Sequence, residues 1–271
     1  MPEIAEVETV RNTLKKRILK ERIHDVKVFY DGIIIGNKDE FIKKLINESF
    51  IDILRNGKWL IFETDNYYML SHLRMEGKYF IKNEDEERNK HEHVIFYLDH
   101  FTLRYHDTRK FGKLKLIKKD ELANEPLLTK LGIEPISKDL NGQYVYDKIH
   151  KKNKYIKTLL LDQSIINGLG NIYADEVLFK SRINPMKKGY EITLDECNRI
   201  CLSANEIIKE AIKCGGTTIR SYTSSLGVTG RFQQNLMVHK RSNESCKICG
   251  NKIVNTFLNG RNTYYCPNCQ K

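Results

Sequence analysis

The chain has 271 residues, of which 40% are apolar, as is ordinary for a soluble globular protein of two modest domains. Its 46 lysines and arginines outnumber its 35 aspartates and glutamates, and the net charge of +11 favours a polyanionic partner such as nucleic acid, with a soluble basic protein that has no such partner as the alternative. It contains no run of eighteen apolar residues, and its first residues, MPEIAEVETV, lack a signal peptide's apolar core, so we expect no membrane span and a cytoplasmic location.

The opening segment has the pattern of an amphipathic helix. Apolar residues recur every three or four positions, as on one helix face: Ile4, Val7, Val10, Leu14 and Ile18. Acidic residues near its start and basic residues near its end match the helix dipole. Pro2 stands where a proline in the first turn is tolerated.

Residues 23–116 have the pattern of many short strands. Runs rich in β-branched and aromatic residues alternate with turn-forming pairs, namely Asn56-Gly57, Asp65-Asn66 and Asp99-His100. Strands of this length with tight turns predict a β-sandwich or barrel. One helix is expected near Asp39–Asn47, and the charged run Asn83–Lys90 is expected to form an exposed loop.

The second half of the chain has helical patterns. A linker is predicted between Ile133 and Gly142, followed by helices over Asp147–Gln163 and Asn171–Ser181. A third helix begins at the capping box Thr193–Glu196, runs to Cys214 and stops at two glycines. No internal repeat or low-complexity segment is present.

Four of the seven cysteines form two pairs near the C-terminus: Cys246, Cys249, Cys266 and Cys269. This spacing predicts one tetrahedral Zn²⁺ site, and because four thiolates leave no open position, the ion would be structural. The tip between the pairs carries Arg261, which suits a basic finger that binds DNA; a stabilising cap with incidental charge is the alternative. The remaining three cysteines, Cys197, Cys201 and Cys214, are expected to be buried or half-buried hydrophobes.

Two further segments contain residues suited to phosphate binding or to catalysis. Gly168 and Gly170 allow a tight turn between two helices, and the helix that follows, capped by Asn171, would present backbone amides suited to a phosphate. A plain interhelical turn is the alternative. At the N-terminus, removal of Met1 would leave Pro2 as a secondary amine, which could attack a sugar carbon with Glu3 and Glu6 close by for proton transfer. The alternative is that the proline and glutamates are ordinary residues at the start of a helix.

These motifs occur together in one family. The opening Pro2–Thr9, the segment Asn167–Tyr173 and the segment Gly260–Gln270 resemble the start, the helix–two-turns–helix motif and the end of the zinc finger of formamidopyrimidine-DNA glycosylases. The resemblance continues, in the expected order, through Arg55–Trp59, Ser71–Gly77, Arg104–Gly112 and Gly215–Arg220. It therefore spans the whole chain.

The resemblance implies a role for each matching residue. Pro2 would be the nucleophile that attacks C1′ of the damaged nucleotide, Glu3 the general acid and base, and Glu6 a residue that orients the lesion or a water. The phosphates beside the lesion would be bound by residues from both domains and the finger: Lys58, His72, Asn171 and Arg261.

Three more residues would enter the duplex and fill the space left by the extruded base: Met75, Arg109 and Phe111. Apolar wedges fill such gaps, and Arg109 could hydrogen-bond the orphaned cytosine. Without the resemblance, Met75 and Phe111 would be read as core residues. The polar segment Thr217–Gln234 resembles the family's loop that closes over the extruded base.

Two features depart from this picture. The family usually has proline where this chain has Ala5, which leaves Pro2 and Glu3 in place. His91 and His93 would share one strand face, but no third metal ligand is evident, so we do not predict a metal site there.

The fold expected is α+β with several domains. An N-terminal β-sandwich with an N-terminal helix would span residues 1–132, a linker 133–146, a helix–two-turns–helix DNA-binding domain 147–240 and a zinc finger 241–271. The function implied is that of a monomeric bifunctional glycosylase and lyase that removes oxidised purines (8-oxoguanine and formamidopyrimidines) and acts on abasic sites in duplex DNA.

Two rival functions remain open. The first is that of endonuclease VIII, a relative that removes oxidised pyrimidines and shares the N-terminal proline, the helical motif and the finger. The second is that of a zinc-finger protein that binds DNA but has lost catalysis. The retained Pro2 and Glu3 favour an enzyme, and the set Met75, Arg109 and Phe111 favours oxidised purines.

Overall fold

The structure, a computed structural model, describes residues 1–217 and 230–271. The chain divides into two compact units. Of the described residues, the first contains Met1–Thr129, Thr217 and Gly230, and the second contains Lys130–Gly216 and Arg231–Lys271.

The first unit is a two-sheet sandwich with helices, in the mixed α+β class that the sequence predicts. Its helices are α1 (Ile4–Ile18), α2 (Lys38–Leu45) and α3 (Pro126–Thr129). Its strands are β1 (Ile23–Val28), β2 (Ile34–Ile35), β3 (Phe50–Asn56), β4 (Trp59–Thr64), β5 (Tyr67–His72), β6 (Lys78–Lys82), β7 (Glu92–Leu98), β8 (Thr102–His106) and β9 (Lys113–Lys118).

Each sheet contains one strand that leads into a loop carrying predicted site residues. One sheet has the order β1-β7-β8-β6 and the other β2-β9-β5-β4-β3. All neighbouring strands are antiparallel except β2 and β9, which pair in parallel. Strands β5 and β8 end at His72 and His106, so the loops that carry Met75 and Arg109 follow directly from two different sheets.

Helix α1 is anchored by the apolar face that its sequence predicts. Ile4, Val7, Leu14 and Ile18 are fully buried, and Val7, Leu14 and Ile18 join the core between the sheets. The placement of Pro2 in the first helical turn is wrong, because the helix begins at Ile4 and Glu3 occupies the N-cap position.

The short-range predictions for this unit are confirmed. The predicted turn at Asn56-Gly57 is present: β3 ends at Asn56, and Gly57 and Lys58 join it to β4, with Gly57 at φ +58°, a left-handed backbone conformation that glycine adopts without strain. Asp65-Asn66 joins β4 to β5 and Asp99-His100 lies between β7 and β8. Helix α2 lies at the predicted place, and Asn83–Lys90 is an exposed loop.

The second unit contains the remaining helices and a hairpin. Its helices are α4 (Gly142–Ile149), α5 (Ile156–Leu160), α6 (Asn171–Lys180) and α7 (Leu194–Lys213), and its strands are β10 (Val254–Leu258) and β11 (Arg261–Tyr265). The strands pair antiparallel around the turn Asn259-Gly260.

The prediction of one helix over Asp147–Gln163 is wrong. Helix α4 begins earlier, where the Asn141 side chain accepts from the Tyr144 backbone N–H, and it ends at Ile149. Helix α5 begins anew at Ile156, after Tyr155 forms an isolated bridge with Lys188. The polar residues between the two helices therefore interrupt the helical pattern rather than continue it.

Helices α6 and α7 match their predictions. In α7 the Thr193 hydroxyl accepts from the Glu196 N–H at 3.2 Å, and Gly215 and Gly216 follow its C-terminus with φ of +72° and +77°. Cys197 and Cys201 are buried and Cys214 is half-buried, as expected. No helix in the described ranges is long and apolar enough to cross a membrane.

Candidate active site and zinc centre

The first unit buries its N-terminal residues. Pro2 is buried, and the carboxylates of Glu3 and Glu6 are only 2% and 4% exposed. The Glu3 backbone N–H donates to Glu6 Oε2 at 2.9 Å, which fixes Glu6 beneath the start of α1. Because buried carboxylates are costly unless they are hydrogen-bonded, their concentration around Pro2 indicates a functional site.

The second oxygen of Glu6 is held by Thr217. The Thr217 N–H and hydroxyl donate to Glu6 Oε1 at 2.8 and 3.0 Å. These bonds join α1 to the first residue of the polar segment Thr217–Gln234, of which residues 218–229 lie outside the described residues. Sequence reasoning did not predict this pair, since 211 positions separate the two residues.

The turn that carries Lys58 is anchored to α1. Arg55 Nε donates to Glu8 Oε2 at 2.7 Å, and Arg55 Nη1 donates to the Gly57 carbonyl at 3.2 Å. Lys58 itself is only 6% exposed. The Arg55 guanidinium, followed by that of Arg11, lowers the pKa of Glu8 against the opposing effect of burial, so this carboxylate stays charged and keeps the turn against the helix.

The His72 ring is held by a hydrogen bond that its Nδ1 accepts. It ends β5 and packs edge-on against Trp59, with ring centroids 4.8 Å apart. Burial, with smaller contributions from the charges of Arg74 and Lys58, lowers its pKa to about 3. The Arg74 backbone N–H donates to Nδ1 at 3.0 Å, so the ring proton is on Nε2, which can donate to an anion.

The depressed pKa of His72 predicts a stability change with pH. Unfolded chains bind a proton here below about pH 6.5, whereas the folded protein does so only near pH 3, so folding stability falls as pH drops through this window. We expect the free energy of unfolding to fall by about 1 to 2 kcal/mol more in the parent than in His72→Asn between pH 7 and pH 5. Denaturant titration measures the difference; the exposed His100→Asn is the control, and equal slopes would contradict the prediction.

Met75 and Phe111 do not belong to the core. Their side chains are 38% and 50% exposed, which is unusual for large apolar residues at the ends of buried strands. The Arg109 guanidinium lies over the Phe111 ring, 4.7 Å from its centre. Exposed apolar side chains beside a cation suit a surface that inserts into a partner.

The four paired cysteines form a closed centre in the second unit. Their Sγ atoms all lie within 4.8 Å of one another, with Cys246 and Cys269 at 3.9 Å and Cys249 and Cys266 at 3.5 Å. Sulfur atoms about 2.3 Å from a tetrahedral zinc are about 3.8 Å apart, so the donors fit one Zn²⁺. Cys246 and Cys266 also pack with Phe179, Val238 and Ile253 in a small apolar cluster.

Asn171 and the start of β11 lie together in this unit. Asn171 Nδ2 donates to the Asn262 carbonyl at 3.0 Å, one residue beyond the exposed Arg261. The prediction that Asn171 caps its helix is wrong, because Gly170 occupies the N-cap and Asn171 is the first helical residue. Its side chain is therefore available to join helix and finger.

Lys157 is a buried residue that sequence reasoning missed. It is 1% exposed, and its Nζ contacts the Asn262 carbonyl at 2.8 Å, the Thr263 hydroxyl at 2.9 Å and Asp175 Oδ1 at 2.7 Å. Asp175 also pairs with His239 Nδ1 at 2.7 Å. A lone lysine in the apolar run that begins at Ile156 was the available signal. This network fixes the finger strand to α5 and α6.

His91 lies near both His93 and His106, whose ring centroid is 5.6 Å from that of His91, but these three do not form a close metal-binding group. The ring centroids of His91 and His93 are 6.5 Å apart, and His93 Nε2 lies 2.8 Å from the Asp107 carbonyl oxygen. Across residues 1–217 and 230–271, the four cysteines are the one group of three or more close metal-binding side chains.

Three known protein-family models match successive segments of the chain. Residues 1–114 match the formamidopyrimidine-DNA glycosylase N-terminal domain, residues 131–223 the helix–two-turns–helix domain of these enzymes, and residues 243–271 the zinc finger found in them and in isoleucyl-tRNA synthetase. A formamidopyrimidine-DNA glycosylase of Bacillus cereus is 44% identical over all of this chain and 99% of its own length. This chain belongs to the formamidopyrimidine-DNA glycosylase family.

Other members of the family have similar sequences and structures. The formamidopyrimidine-DNA glycosylase of Ligilactobacillus salivarius is 42% identical over 100% of this chain and 99% of its own. The solved structure of Lactococcus lactis Fpg with DNA containing an abasic site has a TM-score of 0.95 at 39% identity and covers 99% of both chains. A mutant of that enzyme with DNA containing Fapy-dG gives the same TM-score over 100% of both chains.

Zinc should be required for the finger of this family member to fold. Because a four-thiolate site supplies much of the folding free energy of a small finger, Cys249→Ser should lower zinc content well below one ion per chain. We also expect faster proteolysis within residues 241–271. The matched variant Cys214→Ser, outside the centre, should retain both properties; full zinc content in Cys249→Ser would contradict the four-cysteine assignment.

Proposed function

We propose that this chain is a bifunctional DNA glycosylase and abasic-site lyase that excises oxidised purines from duplex DNA. The observation that carries the proposal is the burial of Pro2 beside two buried glutamates, Glu3 and Glu6, with the Glu6 carboxylate accepting from the Glu3 backbone N–H. An amine needs such neighbours to move protons while it attacks a sugar carbon. The family membership and the DNA-bound Lactococcus structures support the same substrate class.

The first stage releases the base. After removal of Met1, the lone pair of the Pro2 nitrogen attacks C1′ and the bond from C1′ to the damaged base breaks. The base leaves with the electron pair of that bond and takes up the proton that the Pro2 nitrogen loses. Glu3 donates a proton to the sugar ring oxygen as the ring opens, which leaves an iminium ion between Pro2 and C1′. An α-amino group titrates near about pH 8, so a useful fraction of the amine is unprotonated at neutral pH.

The second stage cuts the strand. Loss of a C2′ proton from the iminium ion expels the 3′ phosphate, and a further elimination expels the 5′ phosphate. Water then hydrolyses the Schiff base, frees Pro2 and leaves a one-nucleotide gap. Glu6, held by Thr217, orients the lesion or the water.

The DNA is held by hydrogen-bond donors from both units. Lys58 and His72 in the first unit, with Asn171 and Arg261 in the second, bind the phosphates beside the lesion. The neutral His72 contributes through Nε2–H, while Lys58 and Arg261 contribute charge. Met75, Arg109 and Phe111 fill the gap left by the extruded base, whose unstacking costs a few kcal/mol.

The zinc centre has no part in this chemistry, because a four-thiolate site has no position for a substrate. It holds the hairpin that carries Arg261. We further propose that the enzyme acts as a monomer in the cytoplasm.

A lesion panel tests the proposed substrate class. We expect single-turnover excision of 8-oxoguanine and formamidopyrimidines opposite cytosine to be faster than excision of thymine glycol. The reverse order would favour the endonuclease VIII activity. Binding to all duplexes without nicking of abasic DNA, even at high enzyme concentration, would indicate a DNA-binding protein without catalysis.

A further inference from the structure

Two loops of the first unit carry the residues that the proposed function inserts into DNA. The first loop, residues 73–77, carries Met75 between β5 and β6. The second, residues 107–112, carries Arg109 and Phe111 between β8 and β9. The loops leave different sheets, and each ends in a buried glycine, Gly77 or Gly112.

Both glycines lie against the same tyrosine. A Cβ atom on Gly77 or on Gly112 would overlap with the hydroxyl oxygen of Tyr105. Tyr105 is fully buried, and its ring packs against that of Tyr79 with centroids 5.2 Å apart. Because neither glycine has a side chain, both loop ends close onto one rigid phenol group.

A second contact joins the exposed parts of the loops. The Thr108 hydroxyl donates a hydrogen bond to Glu76 Oε2, so the neighbour of Met75 is bonded to the neighbour of Arg109. Asp107, fully buried, holds the second loop in shape: Oδ1 accepts from the Arg109 N–H at 3.0 Å and Oδ2 accepts from the Gly112 N–H at 2.8 Å.

We propose that Tyr105 and the Glu76–Thr108 hydrogen bond are positioning elements that make Met75, Arg109 and Phe111 enter the duplex as one wedge. This inference rests on the proposed function. Two independently moving loops would each lose conformational entropy on insertion, whereas joined loops lose less at that step. The positioning elements should therefore matter where a base must be extruded and matter little where the base is already missing.

A double-mutant cycle on two substrates tests the coupling. Glu76→Ala, Thr108→Val and the double variant would be compared in single-turnover assays on 8-oxoguanine opposite cytosine and on a preformed abasic site. Each single variant should slow 8-oxoguanine excision about 3- to 10-fold, the double variant no more than either single, and abasic nicking less than about twofold. Glu40→Ala, which breaks a surface pair with Lys44, is the control.

Tyr105 is tested by a suppressor pair. Gly112→Ala should slow 8-oxoguanine excision more than Thr108→Val does, because its methyl group displaces the Tyr105 hydroxyl. Adding Tyr105→Phe should recover part of the rate, since it removes the overlapping oxygen. If Gly112→Ala does not fold, the double-mutant cycle on Glu76 and Thr108 still tests whether the two loops are coupled.

Independent, multiplicative effects of Glu76→Ala and Thr108→Val would overturn the coupling. Equal losses on 8-oxoguanine and abasic DNA would also overturn it, because they would indicate a general structural effect. A parent enzyme that excises no 8-oxoguanine would instead show failure of the proposed function, and this is established before any variant is made.

Discussion

No 8-oxoguanine should be excised while Pro2 is blocked, and activity should appear when its amine is freed. The chain would be made with an N-terminal extension whose protease cleavage leaves Pro2 as the first residue. Before cleavage the Pro2 nitrogen is an amide without a reactive lone pair, and after cleavage it is a secondary amine. Single-turnover excision assays on the same preparation before and after cleavage measure the difference.

A DNA-binding measurement shows whether the N-terminal extension blocks access of DNA to the site. Because Pro2 is buried, the extension must not prevent binding, so the affinity of both forms for an uncleavable abasic analogue is measured at one salt concentration. Excision by a fully blocked form that binds DNA would show that another residue is the nucleophile.

Glu3→Gln should lower 8-oxoguanine excision by about 10²- to 10⁴-fold. Its amide keeps the size and polarity of the buried carboxyl group but cannot donate the proton needed for ring opening. The loss should fall on the single-turnover rate constant rather than on DNA affinity, because the interaction is needed only in the transition state. Gel-shift titration and single-turnover kinetics separate the two quantities.

Glu40→Gln is the matched control for Glu3→Gln. Glu40 is an exposed carboxylate in α2, and its loss should leave both rate and affinity unchanged. A Glu3→Gln enzyme within a few-fold of the parent rate would rule out Glu3 as the general acid.

Local signals account for the parts of the fold that the sequence predicts well. Helix α1 and α7 carry regular apolar faces, and both are observed where those faces predict them. The zinc centre is fixed by spacing alone, because two short pairs of cysteines leave few geometric alternatives. The turn at Gly57 follows from a residue pair that favours one backbone conformation.

Long-range contacts account for what the sequence did not predict. Thr217 bonds Glu6, and Lys157 bonds the finger strand more than 100 positions away; neither pairing leaves a periodic signal. In the sequence, nothing distinguishes Tyr105 from the other aromatic residues of the strands, and only the fold places it against both Gly77 and Gly112. The break between α4 and α5 depends on the bridge from Tyr155 to Lys188, which is equally invisible in the local pattern.

Borohydride trapping tests the central claim most directly. The chain, with Met1 removal verified by mass spectrometry and zinc bound, would be incubated with duplex DNA containing one 8-oxoguanine opposite cytosine, and the reductant would convert any Schiff base to a stable amine. We predict a covalent adduct between one protein and one DNA strand, with the modified peptide beginning at Pro2. Efficient excision without an adduct, or an adduct on a lysine such as Lys58, would contradict Pro2 as the nucleophile.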